Sequence, residues 1–320
     1  MGFNNDNNNN NKNKRTKAFT ESVLIATIMT IYILLGLSFI PIIAILYPIP
    51  FVVLGIKNGI KHNILSILAS SIVVGILTDP YTGAFILLIF GPLSIVLTYL
   101  IKKKRSSQHI LVITTIVSLI SYLIAIQLLG KVLGIDFVNQ MDETFRQVMK
   151  MQIDTMKGMG LSKYELYKTE GLLKDAFDYM ILILPSMFIL FSMFTAYLNF
   201  LISSSVLKRL GYKEVNIPKI SYFRLPGSAI LGTIAMFLGS WLLKKFGIFY
   251  HETIFINVTM FVAFIFFLQG LAVILYLLNR TKLSRVLKTI IMVVIVILIP
   301  LGGFISLLGL LDVIFNFRRI

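Results

Sequence analysis

The sequence predicts an all-α, polytopic transmembrane helical bundle. Three observations carry that prediction. Of 320 residues, 57% are hydrophobic and only 14% are charged, against about 25% charged in a soluble domain. The mean hydropathy is +0.87. The apolar residues fall in successive runs near bilayer length. Ten such segments can be read, at about 20–39, 42–56, 63–78, 83–101, 109–130, 179–206, 226–246, 252–279, 286–300 and 301–317. Ten spans are preferred within a range of eight to ten.

Residues 1–17 form an Asn-rich tract ending in Lys and Arg, with no apolar content to bury, and read as a disordered cytoplasmic tail. The apolar run that begins at Ser22 passes Phe39 without a small-residue cleavage site, so the first helix is expected to stay attached. An N-terminal membrane half is expected over 18–130 and a C-terminal half over 179–320. The breaks between spans carry turn or charge signals: Pro41, Lys57-Asn58-Gly59, Asp79-Pro80, Lys102 to Arg105, and Pro300-Leu301-Gly302-Gly303.

Alternating sides from a cytoplasmic start places 21 cations and four acids inside, and nine cations and ten acids outside. That asymmetry follows the positive-inside rule and predicts both termini in the cytoplasm. It also accounts for the formal charge of +16 without nucleic acid, since the cations sit at loop ends facing anionic lipid.

Residues 131–178 form the single long stretch between spans and are expected outside as an amphipathic helical segment. Met141, Phe145, Val148, Met149, Gln152 and Met156 lie near one helical stripe. Gly158-Met159-Gly160 should break that helix, and Ser162-Lys163-Tyr164-Glu165 has the form of a capping box opening the next. The methionines read as an adaptable apolar face rather than a soft-metal site, because no His or Cys joins them.

Enzyme chemistry is not expected. There are no cysteines, only three histidines, and no phosphate loop, nucleophile elbow or H-E-x-x-H. No cofactor or metal is implied. Within the spans the candidate polar groups are Asn199, Asn257, Gln269 and Asp312. The amides can bond neighbouring helices or orient a ligand. Asp312, a carboxylate inside a span, needs a proton, a cation or an Arg near the cytoplasmic face. Small residues recur at Ala18, Ser22 and Ala26, and at Ser66–Ser70, Ser71–Gly75 and Ala235–Gly239. Such stripes pack helices within a chain or dock a partner, and the first helix is the candidate docking face for a membrane protein.

Leu184-Pro185, Asn199, Lys208-Arg209-Leu210-Gly211, Phe223-Arg224-Leu225-Pro226, Asn257, Gln269-Gly270, Gly309-Leu310-Leu311-Asp312 and Arg318, in that order, resemble the YybS-type bacterial membrane proteins. That resemblance spans nearly the whole chain and implies a multi-pass protein of the bacterial cell membrane, in a family without an established biochemical function. Residues 20–105, with Pro48-x-Pro50 and the Gly55 to Gly59 break, are also similar to the substrate-binding membrane subunits of energy-coupling-factor transporters and to MreD-like proteins. The likeness to those subunits implies a coupling-protein contact at Ala18, Ser22 and Ala26, and a ligand near Asp79, Tyr81 and 131–178. Two functions are therefore expected: a solute-binding or uptake subunit that depends on a separate ATPase, with an unknown small-molecule ligand, or a non-transporting envelope scaffold.

Overall fold

The computed structural model describes residues 3–134, 136–212, 220–247, 250–297 and 302–318. Among these there is no strand. The helices are α1 (Phe3–Phe39), α2 (Pro48–Asn58), α3 (Ile60–Leu77), α4 (Pro80–Lys102), α5 (Ser107–Leu133), α6 (Phe137–Gly158), α7 (Lys163–Arg209), α8 (Ser228–Lys245), α9 (His251–Arg280), α10 (Arg285–Ile297) and α11 (Gly302–Phe315). Short 3-10 turns occupy Pro41–Leu46 and Ile220–Tyr222.

Seven of the described helical stretches are long and apolar enough to cross a membrane: Asn13–Phe39, Pro41–Asn58, α3, α4, α5, α7 and α9. The chain is thus all-α and polytopic, but ten full-length spans are not what these residues present. At about 1.5 Å per residue, the 13 residues of α10 and the 14 of α11 fall well short of a hydrocarbon core about 30 Å thick. The 18 residues of α8 come close to it. Pro300 and Leu301, expected to separate the last two segments, lie outside the described residues, as do Lys213, Glu214, Lys219 and Arg319.

The helix α1 extends from Phe3 to Phe39, through the described part of the Asn-rich tract. The physical reason is cooperativity: the first span supplies the nucleus, and each further residue extends an existing hydrogen-bonded ladder.

The chain divides into two compact units. The first comprises 1–148 with 188–217, and the second 149–187 with 218–320. The second half of α7 belongs with the N-terminal helices. Phe200 and Leu207 share a buried cluster with Val52, Leu97 and Ile110, and between spans such side chains hold helices together by close packing rather than by transfer from water. A second cluster around Tyr47, Phe51, Ile67 and Phe90 unites α1 to α4.

Several local expectations are met. Asp79 caps α4, accepting from the Thr82 N–H at 2.9 Å and the Thr82 hydroxyl at 2.6 Å. These two bonds, the hydroxyl first, hold the Asp79 carboxyl below the usual carboxylate range. The break after α6 places Gly160 at φ +80, where glycine carries no Cβ penalty. The capping box forms: Ser162 N–H donates to Glu165 Oε2 at 2.9 Å, and Glu165 N–H to the Ser162 hydroxyl at 3.3 Å. The stripe on α6 is rotated from the expected one. Ile153 is its buried member while Val148 and Gln152 are exposed, so the covered line runs through Met149, Ile153 and Met156.

Candidate functional site

In the second unit, α9 and α11 approach through glycines. A Cβ on Gly309 would fall 1.9 Å from the Phe266 carbonyl oxygen, and one on Gly270 would fall 2.0 Å from that of Ile305. This contact sets Asp312 against Gln269, whose Nε2 donates to Asp312 Oδ2 at 2.7 Å. Arg318 donates to the same oxygen from Nε at 3.1 Å and from a terminal guanidinium nitrogen at 2.9 Å. The remaining guanidinium donors reach the carbonyls of Ser221 at 2.9 Å and Phe223 at 2.8 Å. Gln269 Oε1 accepts from the Leu225 N–H at 3.0 Å. All three side chains are buried, at 3% exposure or less. The expected Arg partner for Asp312 is therefore Arg318. The cluster ties both ends of the 220–225 segment to α9 and α11, which is an anchoring arrangement.

Asp312 Oδ1 has no partner among the described residues. Asn257, by contrast, is saturated. Its Oδ1 accepts from the Ser186 N–H at 2.7 Å and the Ser186 hydroxyl at 2.6 Å. Its Nδ2 donates to the carbonyls of Leu182 and Thr253, both at 2.7 Å. Ser186 N–H and Leu182 C=O would ordinarily bond each other within α7. Pro185 disturbs that turn, and the Asn257 amide bridges the two separated groups.

The first unit differs. Asn199 is fully buried on α7, with Nδ2 donating to the Ile45 and Thr195 carbonyls at 2.9 Å each. Its Oδ1 has no partner among the described residues, and neither do the hydroxyls of Thr114 and Ser203; the Tyr122 and Thr195 hydroxyls lie against each other and have no other partner. These five groups sit on α5 and α7. Ile110 and Leu207 share a cluster at one end, and the Tyr122 and Phe191 rings lie 5.6 Å apart towards the other. The two helices thus run antiparallel, with Thr195 against Tyr122. Within each helix these residues recur every four positions and share a face. Each unpartnered buried group costs about 1–3 kcal/mol. Only Asn199 was singled out from the sequence. The i, i+4, i+8 recurrence of hydroxyl and amide residues along two uncharged spans was the available signal for the others.

Two of the three residues of the expected docking stripe on α1 are buried within the chain in this structure. Ser22 and Ala26 are buried at 5% and 7%, the Ser66 hydroxyl donates to the Ser22 carbonyl at 3.0 Å, and the Ser22 hydroxyl lies 3.0 Å from His62 Nδ1. Small side chains here let α1 and α3 approach, as close packing within a membrane bundle requires. Ala18 is half-buried. Among the described residues, no group of three or more His, Asp or Glu gathers for a metal ion.

The profile of a family described as "Predicted membrane protein (DUF2232)" matches residues 23–313. The chain belongs to that family. The DUF2232 match takes in the α5–α7 seam, Asn257, Gln269 and Asp312, and ends before Arg318. The chain is similar to "Uncharacterized protein YybS" of Bacillus subtilis (strain 168), 20% identical over 310 residues, which cover 95% of this chain and 98% of the relative. That similarity agrees with the YybS-type resemblance in the sequence and with a multi-pass protein of the bacterial cell membrane. No solved structure matches.

Proposed function

We propose that this chain is a solute-binding or uptake subunit of the bacterial membrane that works with an ATPase carried on another chain. The observation that supports it is the line of unpartnered buried polar groups on α5 and α7, because binding a polar solute requires groups not already engaged with one another. The sequence contains no phosphate loop, so energy would come from a partner. The charge asymmetry supports a cytoplasmic position for both termini, with α8 as an eighth span and 131–178 outside.

The scaffold reading draws on a different observation. An open apolar groove of about 410 Å³ runs along α10, lined by Arg285, Val286, Thr289, Ile290, Val293 and Val294. Affinity purification in mild detergent, with proteins and retained small molecules identified by mass spectrometry, separates the two readings. A stoichiometric nucleotide-binding subunit with a retained solute is the expected outcome. Envelope proteins without an ATPase or solute would favour the scaffold.

A further inference from the structure

We propose that the α5–α7 seam is a binding site for a small, uncharged solute that offers O–H or N–H donors. This rests on the solute-binding reading above and adds the site and the chemical class.

Charge supplies the first argument. Residues 110–130 and 179–207 contain no Asp, Glu, Lys or Arg. An ion entering between these spans would lose its hydration without meeting a counter-charge, whereas a neutral molecule faces no such penalty.

The second argument is the hydrogen-bonding inventory. Asn199 Nδ2 is committed to the Ile45 and Thr195 carbonyls, which orients Oδ1 as a fixed acceptor. A guest must therefore bring a donor. The hydroxyls of Thr114 and Ser203 can each donate or accept, and the Tyr122–Thr195 pair keeps one further donor or acceptor role, which suits a solute carrying several hydroxyl or amide groups.

Side-chain behaviour adds a third. On the same two helices Ser118, Ser192 and Ser205 satisfy themselves by donating to the carbonyl four residues earlier, at 2.7 to 2.8 Å. Thr114 and Ser203 are equally able to do so and do not. Their hydroxyls are available across the seam. From Thr195 to Ser203 the helix rises about 12 Å, which limits the guest to a small molecule.

The chain contains no cysteine, so single thiols test the site directly in membranes holding the full-length protein. Thr195→Cys and Ser203→Cys are compared with Leu97→Cys, a position fully buried in the apolar core of the same unit. Abundance is matched first, and Ser118→Cys replaces either seam variant that fails to accumulate. The neutral reagent methyl methanethiosulfonate, which has the bulk of a small polyol, should modify the seam thiols at least tenfold faster than the Leu97 position. The charged ethylsulfonate and trimethylammonium analogues should stay at the Leu97 level. Equal neutral-reagent rates at all positions would mean a dry seam, and would remove both this site and the support for solute binding. Rapid modification by the charged reagents would overturn the uncharged class while leaving a solute site in place.

Discussion

The two units bury polar groups in different ways. Around Asp312 in the second unit, one carboxylate oxygen takes three donors while the other has no partner among the described residues, Gln269 is engaged at both ends, and further donors of Arg318 hold two backbone carbonyls. Along α5 and α7 in the first unit, Asn199 Oδ1 and the hydroxyls of Thr114 and Ser203 have no partner, and those of Tyr122 and Thr195 have only each other. A largely saturated cluster in an apolar interior fixes geometry, because any movement strands a group that water cannot reach. An unsaturated one leaves hydrogen-bonding capacity for a guest. Polarity inside a span is therefore not by itself a mark of function; what decides is whether the bonds are already closed.

The largest expected effect breaks the contact on which the Asp312 cluster is built. Gly309→Leu would drive its side chain into the Phe266 carbonyl, and folded protein should not accumulate. Gly239→Leu, where nothing lies within 4 Å, should reach near-native levels, both read by size-exclusion chromatography of fluorescently tagged protein. Next comes Arg318→Met, which leaves Asp312 buried without its cation and should cost about 3–5 kcal/mol in detergent unfolding. Adding Asp312→Leu should recover part of that loss, although the Ser221 and Phe223 carbonyls stay unbonded.

A smaller pair of effects sharpens the contrast between the units. Asn257→Leu removes the bridge at Pro185 and should cost about 1–2 kcal/mol. Ser203→Ala deletes an unpartnered hydroxyl and should lie within about 0.5 kcal/mol of the parent, or stabilise it. A larger loss for Ser203→Ala than for Asn257→Leu would erase the distinction. The smallest effect concerns the α4 cap. Because the Asp79 carboxyl is held below its ordinary value, its stabilisation is fully present above about pH 4 and fades as pH falls through the lowered value. Asp79→Asn should therefore flatten the acid limb of the melting-temperature profile and change little at neutral pH.

Membrane location, the helical class, the turns at Asp79 and Gly158 to Gly160, and the capping box at Ser162 were all legible in the sequence. Each rests on local chemistry: hydropathy over one span, glycine in a turn, a hydroxyl three residues from a carboxylate. The same reading pointed to Asn199, Asn257, Gln269 and Asp312 as polar groups needing partners. It could not separate Asn257 and Gln269, which are saturated, from Asn199, which keeps a free oxygen, because those partners lie 44, 71 and 154 residues away. Nor could it tell that Ser22 and Ala26 face α3, since a small-residue stripe looks the same whether it meets its own chain or another. The sequence by itself determined where the chain is and what its segments are, because solvent transfer and backbone propensity act residue by residue. Only the tertiary structure decided which buried polar groups are closed and which are open, because a hydrogen bond depends on two residues whose distance along the chain says nothing of their distance in space.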